Sequence, residues 1–263
     1  MKYEDIIFEK EDGVATIIIN RPERMNALVI KTVEELLKAI EEVAQDRDIR
    51  VLVLTGKGRA FCAGGDLGGI ESDIIKEKSV KLAEITRRYG MVSFGLRNLT
   101  KPTIASVNGA AVGIGLNFAL ACDIIIASEN ARFGEAFVNM GLHPDGGGTY
   151  FLPRLVGVAK ACELIFTGDI IDAREAEKIG LVNKVVPQDS LESATKELAF
   201  RLAKGPPAAM GLAKVSIYQG QEMNLAQVLE REAAAQALCL ATEDCKEALR
   251  AFREKRPPVF KGR

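Results

Sequence analysis

The chain has 263 residues, 48% of them hydrophobic and 27% charged, with 35 Lys and Arg against 36 Asp and Glu for a formal net charge of −1. That length buries a sizeable core, and that composition is the one of an ordinary soluble globular protein. The near-neutral balance excludes nucleic acid as the main ligand, because phosphate backbones are bound through a basic excess.

The apolar runs are interrupted or too short to span a bilayer, so no membrane partner is expected, and the charged start MKYEDIIFEKEDG is unlike a secretion signal. Five cysteines (62, 122, 162, 239 and 245) form no CxxC and leave one over, which points to reduced thiols in the cytoplasm. His143 is the only histidine, so zinc sites built on several histidines are excluded and no metal is expected. Neither a GxSxG elbow nor a GxxxxGK[ST] phosphate loop occurs. Gly56-Lys57-Gly58 opens a dinucleotide-like pattern, but Phe61 stands where its third glycine belongs.

In chain order, residues 3–20 read as two strands turning at Glu11-Asp12-Gly13, the second running from Val14 to Ile19. Asn20 to Leu28 is an irregular polar loop whose Pro22 excludes helix around Arg21. Val33, Leu36, Leu37, Ile40 and Val43 form a helical stripe between Lys31 and Asp46. Val51 to Thr55 is a buried strand, and the small residues of Arg59 to Leu67 mark backbone that approaches something closely. Residues 71–98 are amphipathic and mixed, helical from about Ser79.

The chain is organised around Lys101 to Asp123, KPTIASVNGAAVGIGLNFALACD. Thr103 to Val107 has the length and branching of a buried strand. After it come Asn108-Gly109, a Gly113-Ile114-Gly115 turn, and a small, apolar helix from Leu116 to Cys122. A strand that feeds through glycines into a helix leaves backbone N–H groups free for an anion, or for a carbonyl becoming one. Together with the loop around Ala63, it can supply two converging donors, an oxyanion hole.

Ile124 to Ala127 is another strand, and residues 131–149 are short apolar pieces broken by glycines, including Gly146-Gly147-Gly148 beside Pro144-Asp145. Leu155 to Thr167 reads as a helix, a second starts behind an Asp172 cap, and Val182 to Val186 is a last strand. Beyond Ser190 the chain is helical to about Lys255, interrupted at Gly205-Pro206-Pro207 and Gly220. The expected division is an α/β core over 1–198 and a helical oligomerisation region over 199–263. No repeat of solenoid period is present.

The separated motifs NRPERMNAL (20–28), GRAFCAGGDL (58–67), the 101–123 stretch, ARFGEAFVNMGLHPDGGGTYFLPRLVG (131–157) and the terminal AFREKRPPVFKGR resemble, in this order, the enoyl-CoA hydratase/isomerase (crotonase) family. The resemblance covers nearly the whole chain. It implies an α/β spiral of stacked ββα units with a C-terminal α-helical trimerisation region, acting on acyl-CoA thioesters as a trimer or a dimer of trimers. No permanently bound cofactor is implied; coenzyme A arrives as part of the substrate. By position, the N–H groups of Ala63 and Ile114 are expected to hold the thioester oxygen. Arg24, Ala27, Leu28, Ala63, Gly64, Gly65, Asp66, Leu67 and Phe137 are expected to line the coenzyme and substrate channel. Phe252 and Lys255 match tail positions that reach the coenzyme of a neighbouring subunit.

The departures set the chemistry. Hydratases of the family carry two glutamates that activate water, and at those positions this chain has Asn117 and Phe137. Asp145 stands where isomerases and aryl-CoA dehalogenases of the family place an aspartate, and the run after Phe137 resembles the ring-1,2-epoxyphenylacetyl-CoA isomerase branch. Asp145 is therefore the expected proton shuttle, with Glu135 a rival carboxylate that on a strand would share a face with Phe137. His143 reads as a wall residue, since it has no evident orienting partner. The expected activity is isomerisation of an enoyl-CoA double bond or ring. A hydratase in which Asp145 or Glu135 replaces the missing pair is the alternative. An inactive coenzyme-binding scaffold is a third reading, against which the intact loops at 63–66 and 113–115 argue.

Overall fold

A computed structural model describes residues 3–66, 68 and 79–263. The chain opens with an antiparallel hairpin, β1 (Ile6–Glu11) and β2 (Val14–Ile19), whose turn uses Asp12 and Gly13 at positive φ. Pro22 begins a short 3₁₀ turn (Pro22–Arg24), where its missing N–H costs nothing. Helix α1 (Ile30–Gln45) follows, burying Val33, Leu36, Ala39, Ile40 and Val43 as its stripe requires.

Three ββα turns then build the frame. The first comprises β3 (Val51–Gly56), β4 (Ala60–Cys62) and α2 (Ser79–Asn98). The second is β5 (Thr103–Val107), β6 (Ala110–Val112) and α3 (Ile114–Ala121). The third is β7 (Ile124–Ser128) and β8 (Arg132–Gly134), followed by α4 (Gly148–Val156) and α5 (Val158–Thr167). In each turn the first strand joins one sheet and the second joins another. With β9 (Ile171–Asp172), α6 (Ala173–Lys178) and β10 (Lys184–Val186), the described residues make a six-stranded sheet in the order β1-β2-β3-β5-β7-β10 and a four-stranded sheet β4-β6-β8-β9. Pairing is parallel except at β1–β2 and β8–β9. This is the stacked ββα spiral expected from the motifs.

Both faces of the large sheet are covered, so its central strands β3, β5 and β7 are mostly apolar and carry no charged residue. Leu52, Leu54, Ala105, Val107, Ile125 and Ala127 face the main core, which also takes in α1, α2 and α3. Val51, Val53, Ile104 and Ile126 face the other way, onto Leu191, Ala199 and Ala203 of α7 (Leu191–Ala203). The expected boundary at 198/199 falls inside α7, whose buried face keeps contact with the sheet as far as Ala203.

Behind α7 come α8 (Pro207–Gly220), α9 (Leu225–Leu240) and α10 (Glu243–Glu254), with an additional break at Ala241-Thr242. Helix α8 is tied to the core by ions. Lys214 Nζ lies 2.8 Å from Asp123 Oδ2, and Tyr218 donates its hydroxyl to Asp123 Oδ1 at 2.7 Å. Arg97 of α2 lies between the rings of Phe151 on α4 and Tyr218 on α8, 4.7 and 4.0 Å from their centroids, and donates to the Leu120 carbonyl. By contrast α9 has no buried residue, and Leu225, Leu229, Leu238 and Leu240 stand exposed.

Four details differ from the sequence reading. The short strands β4 and β6 lie inside segments expected to be loop and turn, because three residues give no periodicity to read. Helix α3 begins at Ile114 rather than Leu116, since Gly113 (φ 56) makes the bend and Gly115 is already helical. The helix expected over 155–167 is two helices hinged at Gly157, whose φ of 80 an α-helix does not accommodate. Strand β8 stops at Gly134, and a 3₁₀ turn (Ala136–Met140) follows, so strand alternation does not relate Glu135 to Phe137.

Candidate active site

Asn26 organises the first loop. Buried, at φ 57, it donates through Nδ2 to the carbonyls of Lys57 (2.9 Å) and Ala60 (2.7 Å) and accepts from the Arg21 N–H at 2.9 Å. This lays loop 24–28 along loop 63–66. Leu28 N–H donates to the Gly64 carbonyl at 2.8 Å, Asp66 N–H to the Leu28 carbonyl at 2.9 Å, and Ala63 N–H to the Met25 carbonyl at 3.1 Å. Arg21 closes the seam with Nη2 3.4 Å from Asp66 Oδ2 and with a donation to the Ala27 carbonyl. Leu28 is buried here and Arg24 exposed. Leu67 lies outside the described residues.

The start of α3 presses on the same loop. A methyl on Gly115 would stand 2.2 Å from the Cys62 carbonyl oxygen, so only glycine permits this approach. Gly113 donates to the Gly134 carbonyl at 2.8 Å, whereas Ile114, Gly115 and Leu116 open the helix with N–H groups that have no acceptor among the described residues. The two expected donors therefore differ. Ile114 N–H is unengaged, and Ala63 N–H is already given to Met25.

Asp145 is brought beside this helix start. A methyl on the adjoining Gly146 would stand 2.0 Å from Ile114 Cδ1 and 3.6 Å from Ser93 Oγ. Asn117, fully buried on α3, donates from Nδ2 to the Asp145 carbonyl at 2.8 Å. Asp145 Oδ1 is buried with no partner among the described residues. Burial pushes the Asp145 carboxyl up to about 6, with His143 opposing. His143 itself is turned to the Pro144 carbonyl, 2.5 Å from Nδ1.

Glu135 sits deeper, 1% exposed, with neither carboxyl oxygen partnered among the described residues. Burial pushes its carboxyl up to about 8, with the Asn117 amide opposing and the Asp145 charge adding. Phe137 is half-buried and lays its ring on Gly113, whose added methyl would meet Cζ at 3.4 Å. Phe252, 84% exposed, and Lys255 stand on the C-terminal tail. The tail's hydrogen bonds return to Asp244, Glu247 and Arg50 rather than to the Ala63 loop. Arg21 and Asn26 lie within the 20–28 motif without being singled out there, and Ser93, inside the mixed segment 71–98, carried no signal of its own.

Two strand-ends, a helix N-terminus and a buried carboxyl come together here, an arrangement suited to acid–base chemistry beside backbone donors. A family model described as Enoyl-CoA hydratase/isomerase matches residues 9–263, and the chain belongs to that family of enzymes. It is 42% identical over 261 residues to the short-chain-enoyl-CoA hydratase of Clostridium acetobutylicum, covering 97% of both chains. It is 37% identical over 260 residues to the 1,2-epoxyphenylacetyl-CoA isomerase of Escherichia coli K12, covering 99% of each. The crystal structure of an enoyl-CoA hydratase from Bacillus anthracis superposes with a TM-score of 0.92 at 36% identity, covering 99% of this chain and 100% of that one.

Proposed function

We propose that the protein is an enoyl-CoA isomerase in which Asp145 is the single proton shuttle. The carrying observation is the buried, unpartnered Asp145 Oδ1, on a carboxyl raised to about 6 and adjoining Gly146, which packs on the Ile114 side chain at the open start of α3. A base poised near neutrality takes a proton from the carbon α or γ to the thioester. The electron pair moves into the enolate, and its oxygen is held by Ile114 N–H. Ala63 N–H adds to this as a three-centre bond shared with Met25. Asp145 then returns the proton to the other carbon, shifting the double bond with no change in composition. The paired loops 24–28 and 63–66 support a coenzyme channel over Arg24, Ala27, Leu28, Gly64, Gly65 and Asp66, with Phe137 walling the acyl end.

Burial of Glu135 close to Asp145 favours a second reading, water addition by that carboxylate pair. Against it, Glu135 borders a cavity of about 10 Å³, at most the room of one water. The exposed leucines of α9 support assembly through the tail as a trimer or dimer of trimers, in which Phe252 and Lys255 serve a neighbouring site. Five free cysteines accord with a reducing compartment such as the cytoplasm.

The test offers straight-chain Δ2-, straight-chain Δ3- and cyclic enoyl-CoAs and weighs the products. Isomerisation leaves the mass unchanged, and a gain of one water overturns the reading in favour of hydration. Asp145→Asn is expected to lower kcat about 10²–10⁴-fold with coenzyme A affinity unchanged. Full turnover by that variant removes Asp145 as the base.

A further inference from the structure

Five buried oxygens without a partner among the described residues gather about one loop: Ser93 Oγ, Asn117 Oδ1, both carboxyl oxygens of Glu135, and Asp145 Oδ1. Buried polar atoms are as a rule paired, so such a cluster needs a reason. Asn117 is oriented by its donation from Nδ2 to the Asp145 carbonyl, which leaves Oδ1 as an acceptor in want of a donor. Glu135 meets that amide at Gly148. A methyl there would stand 2.7 Å from Glu135 Oε1, 2.7 Å from Asn117 Nδ2 and 2.8 Å from Asn117 Oδ1, and the bare glycine lets the two side chains close.

The rest of the surroundings is apolar. Leu116 of α3, Phe133 of β8, Leu152 of α4, Leu164 of α5, Ile171 of β9 and Leu181 line the cavity against Glu135. The titratable groups bearing on it are Asp145, whose charge acts on it directly, and His143, which acts on Asp145. No cation faces it among these. An ionised Glu135 would set two acceptors against each other and a like charge beside Asp145. The neutral acid supplies the missing donor.

We propose that Glu135 is a positioning residue for Asp145: as the neutral acid it donates its hydroxyl to Asn117 Oδ1, and so keeps Asn117 Nδ2 on the Asp145 carbonyl. The inference rests on Asp145 being the base. With its carboxyl pushed up to about 8, Glu135 is predominantly neutral at pH 7. When it does ionise, its carboxylate competes with the Asp145 carbonyl for the amide N–H groups, and the base loop loses its tether. Turnover is therefore lost on the alkaline side through a residue that never touches the substrate.

The experiment measures kcat and KM from pH 5.5 to 9.5 on a straight-chain Δ3-enoyl-CoA for the wild type, Glu135→Gln, Glu135→Leu and Asp145→Asn. The wild type is expected to show an alkaline limb in kcat near pH 8. Glu135→Gln keeps a donor and cannot ionise, so it should retain kcat within about twofold at pH 7 and lose that limb. Glu135→Leu has no donor and should lose kcat about ten- to a hundred-fold at unchanged KM, the cost of a misplaced base. The alkaline limb persisting in Glu135→Gln, or wild-type kcat in Glu135→Leu, overturns the inference. So does a folded but dead Glu135→Gln, which would make Glu135 a proton carrier. Where Glu135→Leu does not fold, the two pH profiles decide alone. A fully active Asp145→Asn removes the base itself, whereas a dead Asp145→Asn with wild-type behaviour in both Glu135 variants removes only the positioning role.

Discussion

Glu135→Gln should make the fold more stable as pH rises, and the size of the effect follows from where the carboxyl sits. Its ordinary value of 4.5 is pushed up to about 8, mainly by burial. A carboxyl raised in the folded state favours folding below its unfolded value and loses that contribution as pH climbs through the folded one. For this pair of values the loss grows by about 3.5 kcal/mol between pH 5 and pH 8, approaching about 1.4 kcal/mol for each pH unit in the middle of that range. Glutamine does not titrate, so the variant escapes the loss. Urea denaturation followed by circular dichroism at pH 5, 6, 7 and 8, at one fixed protein concentration, reads the difference. The curves of stability against pH for wild type and variant should diverge steadily above pH 5, with the variant on top at pH 8. Parallel curves would show that Glu135 is not held neutral in the folded chain.

Three further outcomes are expected. Because the Asp145 carboxyl is raised to about 6 and works as the anion, kcat should rise with pH through about 6; a flat profile from pH 5 to 7 contradicts the assignment. Gly115→Ala drives a methyl to 2.2 Å from the Cys62 carbonyl, and the loops must part. It should cost about 1–3 kcal/mol of stability and on the order of 10²-fold in kcat, and wild-type kinetics would show that the close approach is dispensable. Lys214→Met leaves Asp123 without its buried cation, 2.8 Å away in the wild type. The urea midpoint should report a loss of about 3–5 kcal/mol, and a loss under about 1 kcal/mol would mean that Tyr218 and Thr103, whose N–H and hydroxyl donate to Asp123 Oδ2 at 2.7 and 3.0 Å, satisfy Asp123 unaided.

The frame was legible wherever length and periodicity spoke together. The apolar runs at 51–55, 103–107 and 124–127 are strands buried on both faces, and the stripe from Val33 to Val43 is a helix. What escaped was short or decided by packing at a distance. Strands of three residues have no readable period, and Gly157 looks like any helical glycine until its φ is known. At the site, Asp145, Ile114 and Ala63 were expected from their motifs; the start of α3 packs on the loop before Ala63, and Gly146 beside Asp145 packs on Ile114. That Ala63 N–H is engaged by Met25 could not be read, because it depends on Asn26 folding one loop along another. Glu135 was visible only as a carboxylate near Phe137. Its weight comes from burial under α4 and α5, which no local pattern encodes.

The stacked guanidinium of Arg97 has a consequence for how the protein comes off the ribosome. One of its flanking rings, Phe151, belongs to the helix that begins at Gly148, against Asn117 and Glu135; the other, Tyr218, lies 67 positions later in the chain. Asp123 likewise waits for Lys214 and Tyr218. A nascent chain can fold its two sheets before these partners leave the exit tunnel, yet until then it carries a half-covered cation and a carboxylate held only by Thr103, at the far end of α3 from Ile114. Synthesis is vectorial, and domains generally fold as units during it. Closure of the contact among α2, α4 and α8 thus waits for the C-terminal helices, and a product terminated early, after α7, would leave Arg97 without its second ring and Asp123 without its cation.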